Sequence, residues 1–134
     1  MGYRMRNGKL FGYSLGFTLV ELLVVLSILA LLLTIAMPKY FTNIERAKES
    51  SLKQNLSTMR AGIDQYFGDR GMYPKSLDEL VELEYLNKVP VDPITESVET
   101  WVLTPPAPPL EGDVYNVSSG AEGNARDGTP YADW

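Results

Sequence analysis

The sequence predicts an α+β protein in which one long amino-terminal helix precedes a small domain with short strands. Three observations support this class: an apolar block near the amino terminus, an amphipathic pattern directly after it, and two short strand patterns in the last third of the 134 residues. A chain of this length folds as one domain of ordinary size.

The composition excludes several classes of function. The chain has 12 Lys and Arg residues against 17 Asp and Glu residues, with neither His nor Cys. It therefore has no disulfide, no zinc site built from Cys or His, and no catalytic triad based on imidazole. A net charge of −5 without a local basic face argues against a nucleic-acid partner. Because no pair of carboxylates converges on a predicted rigid element, we expect a protein that is not an enzyme.

The apolar block covers residues 17–37, which contain one charged residue, Glu21, and neither Gly nor Pro. At about 1.5 Å per residue this helix measures about 32 Å, close to the roughly 30 Å hydrocarbon core of a bilayer. A secretory signal peptide also follows basic residues, but its apolar stretch is shorter. The block therefore predicts a transmembrane helix. Arg4, Arg6 and Lys9 precede it, so the positive-inside rule predicts a cytoplasmic amino terminus and an external domain.

An amphipathic pattern continues beyond Pro38. Its apolar face recurs at helical spacing and comprises Ile44, Leu52, Leu56, Met59, Ile63, Tyr66 and Phe67. We therefore expect one helix from Phe17 to about Phe67, with a kink at Pro38 because proline removes one backbone hydrogen bond. The glycine-containing residues 68–71 are expected to end it.

The remaining residues predict short elements and an irregular tail. Ser76 and Glu79 form a capping-box pattern for a helix through about Leu86. Residues 98–103 and 114–117 are predicted strands, separated by a proline-rich loop. From Ser118 to Trp134 the chain is rich in Gly, Ser, Asn and Asp without an apolar period.

The residues from Gly16 to Val25 read GFTLVELLVV. They resemble the prepilin signature of type IV pilins and type II secretion pseudopilins, and an acidic residue in such an apolar helix is rare. The resemblance implies that residues 1–16 form a basic leader, which a membrane prepilin peptidase removes after Gly16 on the cytoplasmic side. The new first residue, Phe17, is then N-methylated.

Residues 71–74, 89–93 and 118–123 are similar to those of the major pseudopilins of type II secretion systems. This similarity implies a type IV pilin-like fold, with a small antiparallel sheet packed on the outer half of the long helix. It also implies that residues 38–134 form an extracytoplasmic pseudopilin domain whose Gly- and Asp-rich carboxyl-terminal loop is organised by calcium. The chain departs from the family at Glu122, where aspartate is commoner, and at an inserted stretch from Pro105 to Pro109.

Calcium takes six to eight oxygen ligands, which carboxylates and the carbonyls of a glycine-rich loop can supply. The resemblance favours the side chains of Glu122 and Asp127 and the carbonyl of Ser119 as ligands, with Asp133 as a lesser candidate. The alternative on chemistry alone is a solvated acidic tail.

Glu21 is the one charge in the predicted span, and a lone carboxylate there costs about 2.5 kcal/mol or more. We interpret it as an assembly residue that pairs with the free amino group of Phe17 on a neighbouring subunit. A protonated side chain tolerated by lipid is the alternative.

The resemblance implies a structural subunit that forms a helical filament with itself and other pseudopilins in the bacterial inner membrane and periplasm. An inner-membrane platform with a cytoplasmic ATPase would drive growth of this pseudopilus, which would push exported proteins through an outer-membrane channel. A major or minor subunit of a surface type IV pilus is the first alternative. A single-pass membrane sensor or binding module is an alternative of another class.

Overall fold

The computed structural model describes residues 2–3, 8 and 15–134, so the basic leader residues Arg4, Arg6 and Lys9 lie outside the described residues. The described elements, in order, are α1 (Leu19–Arg70), α2 (Leu77–Glu82), β1 (Trp101–Thr104), β2 (Asn116–Ser119) and a 3₁₀ helix (Tyr131–Asp133). The predicted α+β class, with one long amino-terminal helix and a small antiparallel sheet, is confirmed. The chain forms two compact units, Met1–Lys39 and Tyr40–Trp134.

Within the first unit, α1 begins at a side-chain cap. The Glu21 amide donates to Thr18 Oγ1 at 3.1 Å, and the Leu22 amide donates to the Thr18 carbonyl at 3.1 Å. Among the described residues, α1 is the one helix whose length and composition suit a membrane crossing, and no residue of its apolar window is buried. These exposed apolar side chains need an apolar environment that the described part of the chain does not supply.

Within the second unit, α1 supplies one side of the core. The core residues of α1 repeat at intervals of three and four and are Leu52, Leu56, Met59, Ile63 and Tyr66. They pack in one cluster with residues from α2, both strands and the loops, so the sheet lies on this half of the helix. The helix ends at Arg70 rather than near Phe67, because Gly71, at φ 71°, is the residue that leaves the helical conformation.

The predicted helix from Ser76 to Leu86 is shorter in the structure, ending at Glu82. Glu84 adopts a left-handed conformation at φ 64°. The amides of Tyr85 and Leu86 then both donate to the carbonyl of Leu80, at 2.8 and 3.0 Å. This local turn closes the helix one turn earlier than the apolar pattern predicted.

The two strands pair in antiparallel register from Trp101 opposite Ser119 to Thr104 opposite Asn116. Both start later than predicted. A turn between Asp92 and Ser97 delays the first strand, and the Val114 amide donates to the Pro74 carbonyl at 3.0 Å, outside the sheet. A local turn therefore precedes the start of β1, whereas a contact with Pro74, distant in sequence, precedes the start of β2.

Candidate functional site

The predicted processing boundary lies just before α1. Gly16 and Phe17 are non-helical and exposed, and the Phe17 side chain is 88% accessible. Among the described residues, no atom lies within 4 Å of the position a Cβ on Gly16 would take. The peptide bond between Gly16 and Phe17 is therefore accessible and lies in an irregular segment, and a peptidase needs both.

Glu21 lies in the first turn of α1, with its side chain exposed. The positive end of the helix dipole favours a carboxylate at this position. Thr18 was missed in the sequence analysis, although Thr18 and Glu21 together match the Ser/Thr-x-x-Glu capping signature. The cap fixes the first turn of α1 and with it the position of Glu21 relative to Phe17.

Pro38 lies inside α1, and the helix continues through it to Arg70. Because proline has no amide hydrogen, the carbonyl of Thr34 loses its usual helical donor. The Thr34 hydroxyl meanwhile donates to the Ala30 carbonyl at 2.8 Å, a bond that often accompanies a bend. The kink at Pro38 stays a prediction.

Among the predicted calcium ligands, Ser119 is the last residue of β2, and the others lie in the carboxyl-terminal loop, which we define as residues 120–134. Ser119 is 1% exposed in β2, and its hydroxyl donates to Asp92 and accepts the Ala121 amide at 3.1 Å. Glu122 is exposed and does not line the groove that Asp127 and Asp133 share.

That groove, about 710 Å³ in volume, also contains two cationic side chains, Lys53 and Arg60. Asp127 Oδ1 already accepts the amide and the hydroxyl of Thr129, at 2.9 and 2.6 Å, and these bonds lower the pKa of Asp127. Within residues 15–134, no group of three or more acidic side chains could hold a metal ion. The donor set does not fit a calcium site in this arrangement, and calcium binding stays a prediction.

Asp92 lies between Pro90 and Pro93, a sequence position that predicts a turn residue, and its contacts agree with that role. The side chain is fully buried, and Oδ1 accepts the Ile94 amide at 2.8 Å while Oδ2 accepts the Ser119 hydroxyl. These contacts attach the turn from Asp92 to Ser97 to the end of β2. The carboxylate is fully used in structure and is not available as a base.

The sequence analysis also missed Glu49 and Arg60 on α1. Both side chains contact the carboxyl-terminal loop, Glu49 at Arg126 and Arg60 at Trp134. In the sequence they read as part of the solvated face of an amphipathic helix. No local signal distinguishes them, because their partners are 77 and 74 residues away.

An exposed apolar helix followed by a small α+β domain is the arrangement typical of one class, the membrane-anchored subunits of the pilin type. Residues 13–37 match the family model described as the prokaryotic N-terminal methylation motif. The chain belongs to the family of type IV pilin-like proteins.

Curated relatives extend the similarity beyond this motif. Type II secretion system core protein G of Pseudomonas aeruginosa is 28% identical over 138 residues, which covers 89% of this chain and 94% of the relative. Competence protein ComGC of Halalkalibacterium halodurans is 32% identical over 78 residues, 58% of this chain and 76% of the relative. Type IV major pilin protein PilA of Myxococcus xanthus is 30% identical over 76 residues, 57% of this chain and 34% of the relative. No solved structure matches the chain significantly.

Proposed function

We propose that the chain is a structural subunit of a type II secretion pseudopilus, a filament that drives protein export across the cell envelope. The similarity to core protein G over 89% of the chain carries this proposal, because it includes the outer domain and not the amino-terminal motif alone. The relatives are secretion, competence and pilin proteins by name, which supports a role in structure rather than catalysis.

The proposed topology follows from the charge pattern around the apolar part of α1. Basic residues in the leader hold the amino terminus in the cytoplasm, and residues 38–134 lie in the periplasm. The prepilin peptidase cuts between Gly16 and Phe17, and Phe17 is then methylated. The subunit leaves the inner membrane when an assembly platform with a cytoplasmic ATPase adds it to the filament.

Glu21 is the residue on which assembly depends in this proposal. Its carboxylate is costly in lipid unless it is paired, and the free amine of Phe17 on the next subunit is a suitable partner. A lone anchor would be more stable with leucine at this position. The presence of Glu21 therefore favours a polymerising subunit over a single-pass sensor.

The test compares Glu21→Leu with Ser27→Leu, which makes the same apolar replacement on α1 without removing a charge. We expect the Glu21 variant to insert and fold but to be absent from sheared fibres, whereas the Ser27 variant assembles. Immunoblots of membrane and sheared-fibre fractions provide the measurement. Wild-type amounts of the Glu21 variant in the fibre fraction would refute the pairing argument and favour a membrane sensor.

A surface type IV pilus is the second candidate, since the chain also resembles a major pilin over 57% of its length. Deletion of the gene separates the two candidates. Loss of exported proteins from the culture medium supports the pseudopilus, and loss of surface pili with normal export supports the pilus.

A further inference from the structure

The carboxyl-terminal loop is tied to α1 by two side chains of opposite charge. Glu49 lies on α1, and its Oε1 accepts the Arg126 amide at 2.8 Å and the Tyr131 hydroxyl at 3.4 Å. Burial and the neighbouring Glu49 raise the pKa of Tyr131, so this phenol keeps the proton that it donates. The carboxylate thus holds the first half of the loop and the 3₁₀ helix together.

Arg60 lies eleven positions further along α1, about three helical turns from Glu49. Its Nε donates to Asn116 Oδ1 at 3.0 Å, and its Nη2 donates to the carbonyls of Val117 and Trp134 at 2.9 and 2.5 Å. One guanidinium therefore draws together oxygen atoms from β2 and from the last residue of the loop. Lys53 adds a second cation, with its Nζ 4.5 Å from the centre of the Trp134 ring.

These contacts perform the task that a bound cation performs in an oxygen-rich loop. Calcium gathers carbonyl and carboxylate oxygens around one positive charge. Here the guanidinium gathers two carbonyls and an amide oxygen, and Glu49 satisfies donors that a cation could not bind. Three carboxylates line the groove, Asp64, Asp127 and Asp133, and Lys53 and Arg60 line it with them, so two cationic side chains already offset most of its negative charge.

We propose that Glu49 and Arg60 form a clamp that holds the carboxyl-terminal loop on α1 without a bound metal ion. The clamp replaces the calcium that the family resemblance implies, and Glu122 is left exposed outside the groove that Asp127 lines. The inference concerns how the domain is stabilised, and it stands whether the filament serves export or a surface pilus.

The test measures hydrogen exchange of the full chain in detergent micelles, read by mass spectrometry on peptides from residues 120–134. In the wild type we expect the same exchange in millimolar calcium and in chelator. Glu49→Ala and Arg60→Ala should each speed exchange in this loop by about tenfold or more, the effect of losing a hydrogen bond to a charged group. Glu82→Ala and Arg46→Ala, exposed residues of the same charge types, should leave it unchanged.

Peptides from the core positions 52–63 of α1 provide the internal reference, because a variant that unfolds exchanges there as well. Should Arg60→Ala unfold, Arg60→Lys tests the same point, since lysine keeps the charge but lacks the planar fork with which the guanidinium reaches Asn116, Val117 and Trp134. Loop protection that depends on calcium in the wild type would overturn the proposal. Unchanged loop exchange in both clamp variants would overturn it too.

Discussion

Glu79 makes three bonds at the start of α2. Its amide donates to Ser76 Oγ at 3.1 Å, as the capping-box pattern predicted. Its carboxylate, predicted to reach the Ser76 amide, instead accepts the Lys75 amide at 2.7 Å and the Tyr66 hydroxyl at 2.9 Å. One side chain thus caps α2 and joins it to the core face of α1.

These bonds give the domain a predictable response to acid. The Lys75 amide, and then the Tyr66 hydroxyl, lower the pKa of Glu79 below its ordinary value of 4.5. Because the folded pKa is lowered, the stability that Glu79 contributes is present above about pH 4.5 and is lost as the pH falls through the folded pKa. Glu79→Gln should therefore be less stable than the wild type at pH 7 and lose less stability on acidification.

Urea unfolding at pH 7 and at several acidic pH values measures this difference. Glu82→Gln is the matched control, since Glu82 is an exposed residue of the same helix. Equal loss of stability with falling pH in the wild type and in Glu79→Gln would show that protonation of the Glu79 carboxylate is not linked to unfolding.

Asp92 shows which part of a residue's role can be read from sequence. Its position between two prolines predicted a turn, because proline restricts the backbone on either side. Its bond to the Ser119 hydroxyl joins residues 27 positions apart, and no local pattern encodes that contact. The turn was predictable, but its attachment to β2 was not.

At the scale of elements, the features that depend on residues close together in the sequence were predicted better than those that depend on distant residues. Five of the seven positions predicted for the buried face of α1 lie in the core, because helical periodicity is a property of consecutive residues. Ile44 and Phe67, at the two ends of that face, are only half-buried and lie outside the core cluster. The strands existed as predicted but began two or three residues late, because the local turn from Asp92 to Ser97 precedes β1 and the Val114 amide bonds to the distant Pro74 outside the sheet. Gly16, Phe17 and Glu21 could be predicted as a site because they lie in one contiguous motif, whereas Glu49 and Arg60 bond to residues far away in the sequence.

Two glycines on α1 provide an element-scale prediction. A Cβ on Gly62 would lie 3.3 Å from both the Tyr85 carbonyl oxygen and Leu86 Cδ2, whereas among the described atoms none lies within 4 Å of a Cβ on Gly68. Gly68→Ala should raise the unfolding free energy by about 0.5 kcal/mol, because alanine favours the helix. Gly62→Ala should lower it by about 1 kcal/mol or more, because the tight contact with backbone outweighs that gain.

Chemical denaturation of both variants, with unchanged denaturant slopes, measures these two free energies. A gain in stability for Gly62→Ala would mean that the backbone at Tyr85 can move away from the added Cβ with little loss of free energy. The packing of α1 against the end of α2 would then be looser than the distances indicate.

At the scale of the whole molecule, charge divides the chain into parts with different tasks. Residues 1–16 contain three basic residues and no acidic residue, so the rest of the chain has 9 basic and 17 acidic residues. An export subunit needs the positive segment only until the helix is inserted. Removing it leaves a chain that begins at the exposed segment before α1.

We therefore predict cleavage between Gly16 and Phe17, which leaves 118 of the 134 residues and removes Arg4, Arg6 and Lys9. Gly16→Trp should block cleavage, because the peptidase site must admit an extended backbone at this position and a bulky side chain would obstruct it. Gly8→Trp places the same bulky residue elsewhere in the leader and should be processed normally.

Intact-mass measurement on membranes from a strain with an active prepilin peptidase distinguishes the cleaved and uncleaved forms, and it also detects the methyl group expected on Phe17. A wild-type protein that retains residues 1–16 in that strain would contradict the processing step on which the assembly role of Glu21 depends, because the amine of Phe17 would then not exist.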